Sequence, residues 1–324
     1  VYDVAFCVDS YSYDKQLYTK LISKGDLLED WNQSNIPKSR YLPVSHENAV
    51  EYIKKHKDKR VILIGTSCAV RGLKQVISHL RLKQEQYLMV GLFCDKVFNY
   101  NVNRYYSDTF AGEKKIQALH FKNKESGGWP GNMKLFFEDG SSSYLDKSER
   151  GKVKDYFMPE RCLYCVDKLN VEADISLGDN YTGQNSSVLG SNSVIIRTEQ
   201  GLKAWNVTKS KLEFYPTDME AIRKAQYLDG RLNNLYYAYL KEKQICIKYG
   251  IMIQLNKGID LFDKPNDYEQ AWRRSLAKLR AGEVYHEKPK KLDRQIKLAQ
   301  QRANPKSLRV LCERVYYAIR RRIK

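Results

Sequence analysis

The feature that most constrains this chain is a strand–helix–strand pattern between residues 60 and 94. Arg60-Val61-Ile62-Leu63-Ile64-Gly65 is a short β-branched apolar run, the composition of a strand buried on both faces. A helix is predicted next, from about Ser67 to Leu82, with Val70, Leu73, Val76, Ile77 and Leu80 at helical spacing. Tyr87-Leu88-Met89-Val90-Gly91-Leu92-Phe93 then forms a second buried strand. A crossover of this length joins neighbouring parallel strands. The chain is thereby directed to an α/β fold: a mixed sheet with a parallel βαβ unit.

The flanks extend the pattern. Val1 to Val8 begins as a strand with no targeting sequence ahead of it, which suggests the interior of a longer protein. Glu47 to His56 is predicted helical, capped by Ser45, with Val50 and Ile53 turned inward. Ile116 to Lys122 alternates weakly, and Met133 to Leu145 is a hairpin around Asp139-Gly140, so β-hairpin insertions are expected. Ala173 to Leu177 and Val194 to Arg197 are short strands separated by a polar loop, Gly183 to Ser193. From Asp218 the pattern turns helical (Asp218–Leu228, Arg231–Lys248, Asn266–Arg280, Lys306–Ile323), a helical C-terminal extension. No fixed-period repeat interrupts this order.

Charge is distributed unevenly. The 324 residues carry a formal charge of +18, but Lys288 to Lys324 alone holds 13 basic and 2 acidic residues. This is a basic tail on a nearly ordinary body. The body lacks basic residues interleaved with aromatics across a recognition surface, so no nucleic-acid partner is expected. In Lys306–Ile323, Leu308, Leu311, Cys312, Val315, Ile319 and Ile323 form one helical face. Such a helix either docks on the body or holds an anionic membrane surface through its basic side. No apolar run reaches the ~18–20 residues of a membrane span.

Seven cysteines are present, an odd number in a long chain, which argues for metal or redox chemistry over a disulfide framework. Cys68 and Cys94 each follow one strand of the βαβ unit, at the carboxyl edge where α/β sheets bind ligands. Cys68 also falls in the first turn of a helix, where free N–H groups and the dipole favour a thiolate. Cys162-Leu163-Tyr164-Cys165 adds a C-x-x-C pair in a loop before a strand. Four sulfurs suffice for a 4Fe-4S cluster or a tetrahedral zinc. Spacing alone leaves both readings open beside a third, in which these are simply small buried side chains. Cys7, Cys246 and Cys312 sit in apolar patterns and are read as core. Walker A, G-x-S-x-G and H-E-x-x-H sequences are absent, against the hydrolase classes they mark.

The same residues carry a family resemblance. Val61 to Cys68 with Gly72-Leu73-Lys74 resembles the G-T-P-C-Q…G-L-K segment of the coenzyme F420 hydrogenase/dehydrogenase beta-subunit family, and Ser39-Arg40-Tyr41 is similar to its S-K-Y element. Cys94 falls where that family has a C-H-G segment, with Asp95-Lys96 in place of His-Gly; Ser67 and Ala69 replace a Pro and a Gln. Arg161 to Cys165 followed by Ala173-Asp174-Ile175-Ser176-Leu177-Gly178-Asp179 resembles the C-x-x-C…A-D-I-x-x-G-D signature, and Gly190 to Ser193 before Thr198 to Gly201 continues it. The likeness runs from about residue 35 to 205 and extends to divergent bacterial members associated with cell-surface polysaccharide synthesis.

The resemblance implies a cytoplasmic iron–sulfur flavoprotein passing electrons between a 4Fe-4S cluster, FAD and either coenzyme F420 or a ferredoxin. Cys68, Cys94, Cys162 and Cys165 would be the cluster ligands. Gly65, Thr66 and Ser67 would line the cofactor side of the strand edge, faced by Gly127, Gly128 and Trp129 and supported by Asp174, Gly178 and Asp179. No acid–base residue can be named, and the small-molecule substrate is open. The implied division is 1–57 as the remainder of an N-terminal domain, 58–235 as the C-terminal domain, and 236–324 as the basic helical extension. An accessory protein of polysaccharide assembly, with a structural metal site made by the four cysteines, is the alternative.

Overall fold

The computed structural model describes residues 2–8, 13, 15–23, 39–163, 165–230 and 268–303. Its frame is a seven-stranded mixed sheet with strand order β10-β9-β5-β4-β1-β2-β3. These strands are β1 (Val4–Val8), β2 (Leu17–Ser23), β3 (Val44–Ser45), β4 (Val61–Thr66), β5 (Tyr87–Leu92), β9 (Ile175–Asp179) and β10 (Asn192–Ile196). β1, β4, β5 and β9 run parallel, β10 pairs antiparallel to β9, and β2 pairs antiparallel to β1 but parallel to the short β3. The register aligns Thr66 with Leu92 and Leu92 with Leu177, so three strands end side by side.

Helix α1 (Glu47–Lys55) and helix α2 (Ser67–His79) cover one face of this sheet. The alternating burial of β4 explains the fit: Val61, Leu63 and Gly65 face the helices. Ala49, Ile53, Val70, Leu73 and Ile77 pack onto that face around Phe6, Val61, Leu63 and Met89. Ser45 does accept a hydrogen bond from the Glu47 amide at 3.3 Å, although His46 occupies the cap position. Cys7 is buried in β1 as expected.

A second, three-stranded antiparallel sheet consists of β6 (Ile116–Asn123), β7 (Asn132–Phe137) and β8 (Ser142–Leu145). Its buried face, with Leu119, Phe121, Met133 and Leu135, forms the larger core. α3 (Asn101–Tyr106), α4 (Lys147–Val153), α8 (Tyr268–Glu283) and α9 (Pro289–Ala303) close that core, between them the short α5 (Glu160–Leu163), α6 (Glu199–Thr208) and α7 (Met219–Ala225). The C-terminal helices are fastened by Tyr285, which is 1% exposed and stacks edge-on against Tyr105 and Phe157. Leu292 and Ile296 of α9 join the same core, which leaves Lys290, Lys291, Arg294 and Lys297 on the exposed side.

Two expectations are corrected. Cys162 lies in α5 rather than in a loop; only Cys165 precedes the strand from irregular chain. The strand expected at Ala173–Leu177 is β9, Ile175–Asp179, because Ala173 closes a turn onto the Asn170 carbonyl at 3.1 Å. The helices expected at Arg231–Lys248 and Lys306–Ile323, with Cys246, Cys312 and Tyr164, lie outside the described residues. Among the described residues no helix is long and apolar enough to cross a membrane.

Tyr285→Ala should cost about 3–5 kcal/mol, the usual range for removing a buried aromatic ring. Urea unfolding followed by circular dichroism measures it; a loss under about 1 kcal/mol, the level of an ordinary surface change, would mean that the C-terminal helices contribute little to the fold.

Candidate functional site

The site is built at the carboxyl ends of β4, β5 and β9. The paired residues Thr66 and Leu92 each lie two positions before a cysteine, so Cys68 and Cys94 leave the sheet at equivalent places. Leu177, paired with Leu92, lies two positions before Asp179. Cys68 is exposed in the first turn of α2, and the Thr66 hydroxyl lies 3.5 Å from its sulfur. Cys94 is partly exposed.

Residues 165–174 run across these strand ends and bond to them through Asp167, Lys168 and Asn170. The Ser67 hydroxyl donates to the Asp167 carbonyl at 2.8 Å, and the Cys94 amide donates to the Lys168 carbonyl at 2.9 Å. The Arg197 guanidinium donates to the Leu169 carbonyl at 3.0 Å. Asn170, fully buried, donates its side-chain amide to the Gly65 carbonyl at 3.0 Å and to the Leu92 carbonyl at 3.4 Å. It adopts φ +56°, a left-handed conformation that asparagine tolerates better than most residues. Gly91 is what admits it: a Cβ there would fall 2.4 Å from the Asn170 Cγ. The loop that begins at Cys165 is thus tied to the residue before Cys68 and to Cys94 itself.

The other expected residues divide between this edge and its support. Gly65 ends the apolar face of β4, where a Cβ would stand 3.0 Å from Ala69 and 3.3 Å from the His46 ring. Asp174 is buried, and its carboxylate accepts from the Met89 amide and the Thr198 hydroxyl, each at 2.7 Å. Its place is in the frame, joining β5 to the start of α6. Gly178 leaves room for Phe93, whose Cβ would meet an added Cβ at 2.4 Å. Asp179 pairs with Lys122 of β6 and accepts from the Tyr181 hydroxyl at 3.1 Å. The Trp129 ring lies 5.2 Å from that of Tyr181, and its amide donates to the Val188 carbonyl at 2.7 Å. Gly128 abuts Val188, whereas a Cβ on Gly127 would meet open space. The turn at 127–130 therefore faces the β9 end through Trp129, Tyr181 and Asp179.

Cys162 packs with Trp272 and Leu276 against Met158, Leu163 and Leu279. Among the described residues, no three His, Cys, Asp or Glu side chains form a group that could hold a metal ion. The donor set is nonetheless of the right kind: soft thiols, two at the strand ends and one on a loop bonded to both, suit iron–sulfur ligation.

Sequence reasoning passed over Asn170, His46, Lys122 and Tyr181. A signal existed for Asn170, since a glycine inside an apolar strand (Gly91) marks close approach of another part of the chain. His46 stands at the start of α1 beside Gly65; burial pushes its imidazole below the ordinary range, and its Nδ1 is buried without a hydrogen-bond partner among the described residues. For Tyr181, burial and then the Asp179 charge push the phenol well above the usual range.

The segments described above coincide with a known family. The chain belongs to the coenzyme F420 hydrogenase/dehydrogenase beta-subunit family, whose C-terminal model matches residues 58–221. Both strand-end cysteines, the C-x-x-C pair and the bridging loop fall inside that span. The chain is also 24% identical over 186 residues to an uncharacterized protein of Nostoc sp. (strain PCC 7120), a match covering 56% of this chain and 43% of the relative. It thus spans under half the length of that protein.

Asn170→Asp would set a carboxylate against two carbonyl oxygens and should cost about 2–3 kcal/mol at neutral pH. The loss should shrink in acid, where a protonated carboxyl can donate again; a pH-independent loss in urea titrations would refute the bridge. His46 carries the opposite sign of pH dependence. Its folded-state pKa lies below the unfolded value, so its contribution is complete above the ordinary imidazole pKa of 6.5 and falls away as pH drops below it. Replacing it, as in His46→Gln, should flatten the decline in stability between about pH 7 and 5.5 relative to the unaltered protein. Parallel curves would contradict this.

Proposed function

We propose that this protein is an iron–sulfur flavoprotein oxidoreductase that passes electrons between a 4Fe-4S cluster, FAD and either coenzyme F420 or a ferredoxin. The observation that supports the reading is the bridging loop: in a chain of this family, the loop that begins at Cys165 is bonded to the residue before Cys68 and to Cys94 itself. When bound, the cluster would exchange single electrons and the flavin electron pairs.

The chain's own residues would act by holding and tuning. Cys68, Cys94, Cys162 and Cys165 would be the thiolate ligands. The first turn of α2 offers Cys68 backbone N–H groups without helical partners, which favours its thiolate. The Thr66 hydroxyl beside the Cys68 sulfur is a hydrogen-bonding group of the type that shifts reduction potentials. Gly65, Thr66 and Ser67 on one side, and Gly127, Gly128 and Trp129 on the other, would border the flavin. Asp174, Gly178 and Asp179 would keep the β9 end in register between them. The setting that the resemblance to divergent bacterial members favours is cell-surface polysaccharide synthesis, on the cytoplasmic side of the membrane.

Protein purified without oxygen should be brown and carry about four iron and four sulfide per chain. Changing Cys68, Cys94, Cys162 or Cys165 to Ser should bleach it, whereas Cys7→Ser should not. FAD should bind in preference to nicotinamide cofactors, because no G-x-G-x-x-G follows a strand here. Reduction of bound flavin by reduced ferredoxin but not by reduced F420 would assign the donor. Stoichiometric zinc without iron would overturn the redox reading in favour of a structural site of four cysteines.

A further inference from the structure

Helix α8 lies beyond the family-matched segment, yet it reaches two of the cysteine-bearing segments, at Cys162 and just past Cys94. Trp272 and Leu276 pack with Cys162 on the cluster that includes Leu279, another α8 residue. Lys278 donates to the Asp155 carboxylate at 3.1 Å, and the other oxygen of that carboxylate accepts from Lys96 at 3.0 Å. Lys96 is two residues past Cys94, and its neighbour Asp95 pairs with Lys154. Burial alone would raise the Asp155 pKa, but the two ammonium groups outweigh it and hold the carboxyl below its usual range. One end of α8 is seated by Gly282, where an added Cβ would come within 1.9 Å of the Tyr156 carbonyl oxygen. Asn101 supports that end from α3 by donating to the Gly282 carbonyl at 3.3 Å.

We propose that α8 is a positioning element of the cysteine edge: it shields the Cys162 thiol and, through Lys278, Asp155 and Lys96, fixes the chain leaving Cys94. Because Lys278 and Asp155 are about half exposed, the ion pairs contribute direction more than strength. The apolar contact and the close seat at Gly282 do most of the holding. The proposal deepens the redox reading, but its consequence for thiol chemistry does not depend on a bound cofactor.

The experiment measures iodoacetamide alkylation of each cysteine by peptide mass spectrometry, on the full chain after anaerobic treatment with a chelator and a phosphine reductant. Gly282→Ala forces α8 away from Tyr156 without altering a side chain near any cysteine. Cys162 should then react about tenfold faster, while exposed Cys68 is unchanged and buried Cys7 stays protected. Lys278→Ala should accelerate Cys94 a few-fold, and Lys278→Arg should restore the original rate. An unchanged Cys162 rate overturns the proposal, as does simultaneous exposure of Cys7, which would make α8 a general stability element. A Cys94 rate indifferent to both Lys278 variants overturns the part assigned to the ion pairs. Failure of the protein to bind iron would sink the redox reading and leave these rates as expected.

Discussion

The carboxamide of Asn170 holds two strand ends at once. The carbonyls of Gly65 and Leu92 are where the regular pairing of β4 and β5 runs out, and a single side-chain amide donates to both. A buried carbonyl without a donor is costly, so this bond fixes both the loop and the spacing of the strands beneath it. The neighbouring bonds, from Ser67 to Asp167 and from Cys94 to Lys168, follow the same line. The order of the site is therefore set by backbone carbonyls, with the cysteines as passengers on a frame already determined.

That frame depends in turn on Asp174. Its two carboxylate oxygens bind a β5 amide and the hydroxyl of Thr198, while its backbone carbonyl accepts from the Arg197 amide at 2.9 Å. Thr198 also caps α6 through the Gly201 amide. One buried acid thus gathers the inner strand, the edge hairpin and a helix start. A sequence signature that looks like a ligand motif here performs structural work within the sheet, and the site beside it gains its rigidity.

Much of the fold was legible in the sequence where apolar runs were long. β4, α2 and β5 lie within a few residues of their expected bounds, and Gly140, at φ +80°, makes the expected hairpin turn. What was missed is short or mixed in character. β2 interleaves Lys20 and Ser23 with its apolar residues, and α5 has only four residues, too few to show a period. α4 was passed over although Asp146 and Glu149 have the spacing of a capping pattern; in the structure Asp146 accepts from the Ser148 amide at 2.8 Å. For the site, strand-end cysteines could be read from local order. The partnership of Asn170 with Gly65 could not, because 105 positions separate them and local patterns carry no information about such pairs.

The separation of the bridging partners also orders events during synthesis. The strands that carry Cys68 and Cys94 leave the ribosome first, and their ends stay uncovered until residues 165–174 and then Thr198 have followed. At a translation rate of about 5–20 residues per second, that interval is on the order of ten seconds. Throughout it, two thiols at an open sheet edge are available to oxidants and stray metal ions. The closing of the loop is thus the step that covers the strand ends and fixes the chain around both thiols, while Cys68 stays exposed to solvent afterwards.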